Sequence, residues 1–380
     1  MLTRTGWTAV VASIVLLITS VALGWLEPAT IAVAALMGIA SGLLWVLYRP
    51  SLQVEHEVSR LRVTVGDPAE ATVRVTNTSG RPSLPMMGLD RVGSRVVEVP
   101  LPRLAPKRSS STTYPLPTHH RAVLGIGPLQ LTRADPFGFV RFEQRRGEAT
   151  VLYVHPTRHA LRGMPASLER HLDGATSDTA PRGSQVFHAL REYVPGDARR
   201  LIHWKTSART GTLMVREHVD PSLPDLTVIL DTRRTQHSPE SFESAIEVAA
   251  SLLQACTSAG FPARLRTSDG QHYEPQSGAD RGTWFLDRLA AVELMDRGDL
   301  VGLAQMLQSG GGGFALVVVS GRPSHEDVRA CSRLSRSYNS VTVADLNPDP
   351  ALRATAPGVE RIEASNGIEF AKIWSQRARW

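Results

Sequence analysis

The chain has little of what small secreted domains and many enzymes rely on. It holds two cysteines, Cys256 and Cys331, in 380 residues. Two isolated thiols build neither a disulfide framework nor a zinc site, and both read as buried, reduced thiols in helices of the C-terminal half. Aromatic residues make up 6% of the chain and are not interleaved with basic runs. That argues against a stacking surface for nucleic acid. No nucleophile stands in a motif with an oriented base, so no catalytic residue, cofactor or small-molecule substrate is assigned. His119-His120-Arg121 resembles a ligand cluster, but adjacent side chains on a strand point to opposite faces and chelate poorly. Acids are outnumbered: 42 Lys and Arg against 36 Asp and Glu leave a net charge of +6. Such a surplus suits a cytoplasmic surface facing anionic lipid or an acidic partner.

Long apolar runs, by contrast, are present. Trp7 to Trp25 is uncharged, Glu27-Pro28 breaks the pattern, and a second run extends from Ala29 to Tyr48. Each is about one helical span long at ~1.5 Å per residue. Trp7, Trp25, Trp45 and Tyr48 stand near the ends, where amphipathic rings favour a membrane interface. Residues 1–50 are therefore expected to form a two-helix transmembrane hairpin. Arg4 precedes the first run, and Arg49, Arg60 and Arg62 follow the second. Positive charge on that side predicts a multi-pass plasma-membrane protein with its soluble domains in the cytoplasm.

Residues 51–156 carry many short alternating runs. Examples are Leu61-Val63-Val65, Ala71-Val73-Val75, Val96 to Val99 and Val151 to Val154, separated by Gly, Asn and Pro turns. The spacing predicts an immunoglobulin-like β-sandwich. Asp135-Pro136-Phe137-Gly138 reads as a turn with an aromatic plug. Residues 157–187, rich in Arg, Gly, Ser, Thr and Pro, read as a partly flexible connector.

Residues 188–224 concentrate charge and rings. Pro195-Gly196 is a turn signal and Asp197 fits a helix N-cap. Leu201, Trp204 and Ala208 follow at helical spacing, which predicts a shared buried face. Arg199, Arg200, Lys205 and Arg209 fall on other faces. Thr210-Gly211 ends the helix, and Leu213 to Val219 alternates as a strand carrying Arg216 and Glu217. Tyr193, His203 and Ser207 complete the candidate binding set. Three uses stay open for it: an ion-pair lattice joining parts of the chain, a dedicated binding surface, or a catalytic centre.

Residues 225–380 alternate apolar strands with helices. Leu226 to Leu230, closing on Asp231, and Phe314 to Val319 read as buried parallel strands. Phe242 to Cys256, Trp284 to Leu294, Leu300 to Leu307, Glu326 to Tyr338 and Ile368 to Trp380 read as helices. The alternation predicts an open α/β sheet with helices on both faces.

The run Gly196-Asp197, Arg199-Arg200, Ile202, Trp204-Lys205 and Ser207-Ala208-Arg209, followed by Val215-Arg216-Glu217, resembles the signature of the bacterial membrane-protein family called domain of unknown function 58. Asp135 to Gly138 resembles that family's other fingerprint, and the resemblance covers nearly the whole chain. It implies two membrane helices, a small β domain, a von Willebrand A-like C-terminal domain and operation beside a MoxR-type AAA+ ATPase. Von Willebrand A domains often hold Mg²⁺ through D-x-S-x-S after the first strand, helped by a Thr and an Asp from later loops. Here the segment is Asp231-Thr232-Arg233-Arg234-Thr235. Asp231 stands in place and Thr235 offers a hydroxyl, but Arg233 occupies the first Ser position and a guanidinium coordinates no cation. Ser320-Gly321-Arg322 also lacks the expected acid. No metal is assigned, and Asp231 is expected to pair with an arginine or cap the loop.

The expected function is a membrane-anchored, non-enzymatic interaction protein. The alternative is an enzyme acting at the membrane surface on a phosphorylated or acidic substrate through Asp197, Arg199, Arg200, Lys205 and Arg209.

Overall fold

The structure, a computed structural model, describes residues 2–47, 51–163, 186–192, 202–219, 225–275, 280–310, 312–348 and 356–377. The chain forms two compact units, Met1–His155 and Pro156–Trp380.

The first unit opens with helices α1 (Arg4–Leu23) and α2 (Leu26–Leu47). Both are long and apolar enough to cross a membrane, and only 11% of each apolar window is buried. Trp7, Ile14, Ile18, Trp25, Ile31 and Leu44 are exposed, whereas a core helix would bury such side chains. Thr3 caps α1, accepting from the Gly6 N–H at 3.0 Å. The same residue ties the helix to the Asp135–Gly138 turn. Its N–H donates to the Phe139 carbonyl at 2.9 Å, and its hydroxyl donates to the Gly138 carbonyl at 2.6 Å. Asp135 is buried, accepts from the N–H groups of Phe137 and Val140 at 3.0 and 2.6 Å, and packs tightly against Gly42 of α2, where a Cβ would lie 3.0 Å from its carboxyl carbon. A Cβ on Gly6 would collide with the Phe139 carbonyl. This turn is thus a joint between helices and strands. Phe137 is exposed rather than a plug, and Phe139 is the ring that lies near Gly38.

Two sheets follow. β1 (Leu52–Val58), β3 (Glu70–Asn77) and β6 (Ser109–Pro115) pair antiparallel in the order β1-β3-β6. The larger sheet holds β2 (Arg62–Thr64), β4 (Met86–Val92), β5 (Arg95–Leu101), β7 (Ala122–Ile126), β8 (Leu129–Ala134), β9 (Arg141–Arg146) and β10 (Thr150–His155). It is mixed, because β2 runs parallel to β10 while the other pairs are antiparallel. One core joins the two sheets: Val54, Val73 and Val75 from the first pack with Val99, Ile126, Leu129 and Leu152 from the second. Alternation along each strand places these residues inward. β1 and β4 had no expected counterpart.

In the second unit, β11 (Val186–Glu192) pairs antiparallel with β12 (Met214–Val219), and the short helix α3 (Trp204–Thr210) precedes β12. A six-stranded sheet forms the rest. Its strands are β13 (Leu226–Leu230), β14 (Ala263–Thr267), β15 (His272–Tyr273), β16 (Gly313–Ser320), β17 (Tyr338–Asp345) and β18 (Glu360–Glu363). The order is β15-β14-β13-β16-β17-β18, parallel except for the edge strand β15. Leu226, Val228 and Leu230 of β13 face α4 (Pro239–Ser258), α5 (Arg281–Leu289) and α8 (Gly367–Arg377) in one core. Ile229, Leu316 and Val318 face α6 (Leu300–Ser309) and α7 (His325–Leu334) in another. Both faces are covered, which is why β13 and β16 are continuously apolar. The helix expected over Glu326 to Tyr338 ends at Leu334, and Tyr338 opens β17.

The first residues of the expected connector pack in this unit. His159 Nε2 lies 2.9 Å from Glu247, and the Trp374 indole donates to the Gly163 carbonyl at 3.1 Å.

Candidate functional site

The signature segment folds as a helix pinned to a strand. The Ile202–Val215 bridge and the His203 N–H to Met214 carbonyl bond, at 2.7 Å, join the start of α3 to β12. The Ser207 hydroxyl accepts from the Met214 N–H at 2.8 Å and donates to the His203 carbonyl at 3.1 Å. His203 caps the helix: its Nδ1 accepts from the Thr206 N–H at 3.2 Å and meets the Thr206 hydroxyl at 2.8 Å. Gly211 ends it in the left-handed region, as expected. His203 and Ser207 are therefore committed to local structure.

The expected buried face of α3 is not there. Trp204 is 67% exposed, and Ala208, Lys205 and Arg209 are exposed with it. The buried apolar pair is Ile202 and Val215. A helix of seven residues is too short for periodicity to identify its inner face, and Ser207 turns out to be the anchor. Tyr193, Gly196, Asp197, Arg199, Arg200 and Leu201 lie outside the described residues. Arg216 and Glu217 lie on β12, opposite Leu190 and Ala189.

A second cluster forms at the carboxyl ends of β13 and β16. The strand order reverses between these two, so their connecting helices lie on opposite faces; ligands of open α/β sheets bind at such points. Asp231 is fully buried there. Arg233 folds back on it, donating Nε to Oδ1 at 2.9 Å and a terminal nitrogen to Oδ2 at 2.8 Å. The same guanidinium reaches Asp327 at 3.2 and 2.9 Å. The Ser320 hydroxyl donates to Asp231 at 2.8 Å. Burial alone would raise the Asp231 carboxyl, but Arg233 and Ser320 hold it below the ordinary range. Burial would likewise lower Arg233, yet the two carboxylates raise it further above its ordinary value. One cation thus sits where two acids converge. Asp231 pairs with an arginine, as expected, while Thr235 is exposed on the following turn and the contacting hydroxyl belongs to Ser320.

Asp327 is the acid that sequence reading missed. It does not follow β16 directly; it enters from the first turn of α7. There it forms a capping box with Ser324, whose N–H donates to Asp327 Oδ2 at 2.9 Å while its hydroxyl accepts from the Asp327 N–H at 3.1 Å. A Ser followed three residues later by an acid was the available signal. His237 adjoins the cluster, with Nε2 accepting from the Gly321 N–H at 3.3 Å. Burial is the largest influence and pushes its pKa down, leaving it neutral. Its Nδ1 lies 3.4 Å from the Ser241 hydroxyl, but that hydroxyl accepts from the Ser238 N–H at 2.9 Å in the α4 capping box and donates to the Ser238 carbonyl at 3.1 Å. The Ser–His proximity is therefore helix capping, not an activated nucleophile.

Among the described residues no group of three or more His, Cys, Asp or Glu converges as a metal site. Burial pushes both thiols, Cys256 and Cys331, up to about 12.

Fold and site together define a doubly wound α/β unit whose switch point is closed by its own ion pair. Residues 189–291 match the family described as protein of unknown function DUF58. The uncharacterized protein YeaD of Bacillus subtilis is 25% identical over 238 residues, which span 59% of this chain and 58% of that protein. Among solved structures, the CARDB domain of the PF1109 protein from Pyrococcus furiosus, crystallised with di-metal ions, is 19% identical and covers 28% of this chain and 93% of that one, at a TM-score of 0.23. The putative ApaA protein of Bordetella pertussis is 21% identical and covers 28% of this chain and 94% of that one, at a TM-score of 0.20.

Proposed function

We propose that this protein is a membrane-anchored, non-enzymatic interaction protein that recruits a cytoplasmic partner of the MoxR-type AAA+ ATPase class. The observation that carries the reading is Trp204. An indole that is 67% exposed, with Lys205 and Arg209 exposed on the same two turns, lies within the family-matched segment. Trp and Arg dominate the energetics of protein interfaces, because they combine a large apolar area with directional polar groups. The neutralised switch point supports the non-enzymatic part, since Arg233 occupies both acids. The doubly wound order with one antiparallel edge supports a von Willebrand A-like module, and the two-sheet core supports an immunoglobulin-like sandwich. The exposed apolar surfaces of α1 and α2 support a membrane hairpin, with the Arg4 and Arg60 side in the cytoplasm.

The test pairs a membrane pull-down of the ATPase with melting temperature, using Trp204→Ala and Arg209→Glu in the full chain. The expected result is loss of capture at unchanged melting temperature for both. Full capture by both variants would refute the recruitment surface.

A further inference from the structure

At the foot of α1 lies a cavity of about 930 Å³ that none of the preceding roles uses. Arg4, Thr5, Gln130, Arg141, Glu143 and Arg145 line it. Three arginines and one glutamate share this lining, and the glutamate carboxylate accepts from the Gln130 amide at 2.9 Å. The volume falls in the range of small-ligand sites, roughly 300–1,000 Å³. Its position limits the ligand further. Arg4 opens α1, and Trp7, Val11 and Ile14, one turn and more along the helix, are exposed apolar side chains. Thr3 bonds to the Gly138 carbonyl, and Gly6 packs against the Phe139 carbonyl, which fixes α1 beside this wall.

We infer that this cavity binds the phosphate of an anionic phospholipid headgroup, with Arg4 and Arg145 as its donors and the acyl chains lying along α1. Arginine suits the task because its planar fork meets two phosphate oxygens at once. A basic pocket beside a membrane helix gains from both the headgroup charge and the negative surface potential of the leaflet. The inference rests on the proposal that α1 and α2 enter the membrane. A free phosphate ion could use the same donors, but it would gain nothing from the apolar face of α1.

The experiment uses the full chain in neutral detergent micelles, titrated calorimetrically with a short-chain phosphatidylglycerol, a short-chain phosphatidylcholine and inorganic phosphate. Saturable binding of phosphatidylglycerol is expected, with little binding of phosphatidylcholine or phosphate. Arg4→Gln and Arg145→Gln should each weaken it about fivefold, and Arg4→Lys should recover part of the loss. Melting temperature guards against misfolding. Equal binding of phosphate and phosphatidylglycerol would overturn the lipid assignment, and unchanged affinity in both Gln variants would overturn the site. Alkaline washing of membranes separates the two proposals. A chain that washes off sinks the hairpin reading and the lipid source with it; a chain that stays while the Gln variants bind normally sinks the pocket alone.

Discussion

Each unit of this protein buries acids, and each partners them by different chemistry. In the two-sheet unit, Asp90 is fully buried and meets His56 Nε2 at 2.9 Å and the hydroxyl of Tyr114. Burial, followed by the bond to Asp90, pushes the Tyr114 phenol well above its ordinary value. In the α/β unit, Asp231 and Asp327 share one guanidinium. The single core acid is met by two groups that each give one hydrogen bond, both to its Oδ2. Two converging carboxylates repel each other, and only a fixed cation with several forked donors balances both. The core acid on β4 meets partners from the facing strands β1 and β6. The paired acids stand at the open end of a sheet, where a family resemblance implies a metal and this chain carries its own positive charge.

The contrast can be broken most sharply at Arg233. Arg233→Ala leaves two buried carboxylates without their cation and should cost about 3–5 kcal/mol, measured by denaturant unfolding of the α/β strands. Added Mg²⁺ should restore part of that loss in the variant, because two carboxylates and hydroxyls are hard-cation ligands. The wild-type protein should give a flat Mg²⁺ titration. A loss below about 1 kcal/mol would mean that the acids need no fixed charge.

Asp90→Ala should be milder. It leaves the Tyr114 hydroxyl and one His56 nitrogen short of an acceptor, and at the low end of the penalty for an unsatisfied group the two together should cost about 2 kcal/mol. Unfolding followed through the two-sheet unit checks the value. A loss equal to that of Arg233→Ala would erase the distinction between fixed and hydrogen-bonded neutralisation.

Acid should sharpen it further. His237 is held below its ordinary value of 6.5, so the unfolded chain binds more protons than the folded one below that pH. Its stabilising contribution is full above about pH 6.5 and is lost as pH falls through the depressed folded value. Asp231, also depressed, adds a second loss below its ordinary 3.8. Hydrogen-exchange protection of β13 and β16, taken relative to the intrinsic exchange rate at each pH, should therefore fall between neutral pH and pH 5. His237→Phe should flatten that first step; an unaltered step would assign it elsewhere.

The smallest effect on stability is expected at Trp204. An exposed side chain on α3 should change stability by less than about 0.5 kcal/mol when cut to Ala. Thermal unfolding is the check. A loss of several kcal/mol would return Trp204 to the core and remove the basis for a binding surface.

Much of this architecture was legible as pattern. Leu226 to Leu230 and Phe314 to Val319 announced buried strands because both faces of a doubly covered sheet must be apolar. The two runs before residue 50 announced themselves by length and lack of charge. Gly211 marked a helix end because its left-handed backbone is costly for other residues. The pairing of Asp231 with an arginine followed from Arg233 standing two residues away. Such features are local, and local physics writes them into neighbouring residues.

Other features were decided only by tertiary structure. Which side of α3 faces inward depended on where β12 lay, and a strand beyond the helix chose Ser207 over Trp204. Asp327 reached Asp231 across 96 positions, because parallel pairing of β13 with β16 brought α7 to the same end of the sheet. His56, Asp90 and Tyr114 stand on strands of two different sheets and meet only when those sheets close. Periodicity reports burial within one element. It carries no information about which distant element supplies the partner, and charge pairing across the fold is settled by that choice.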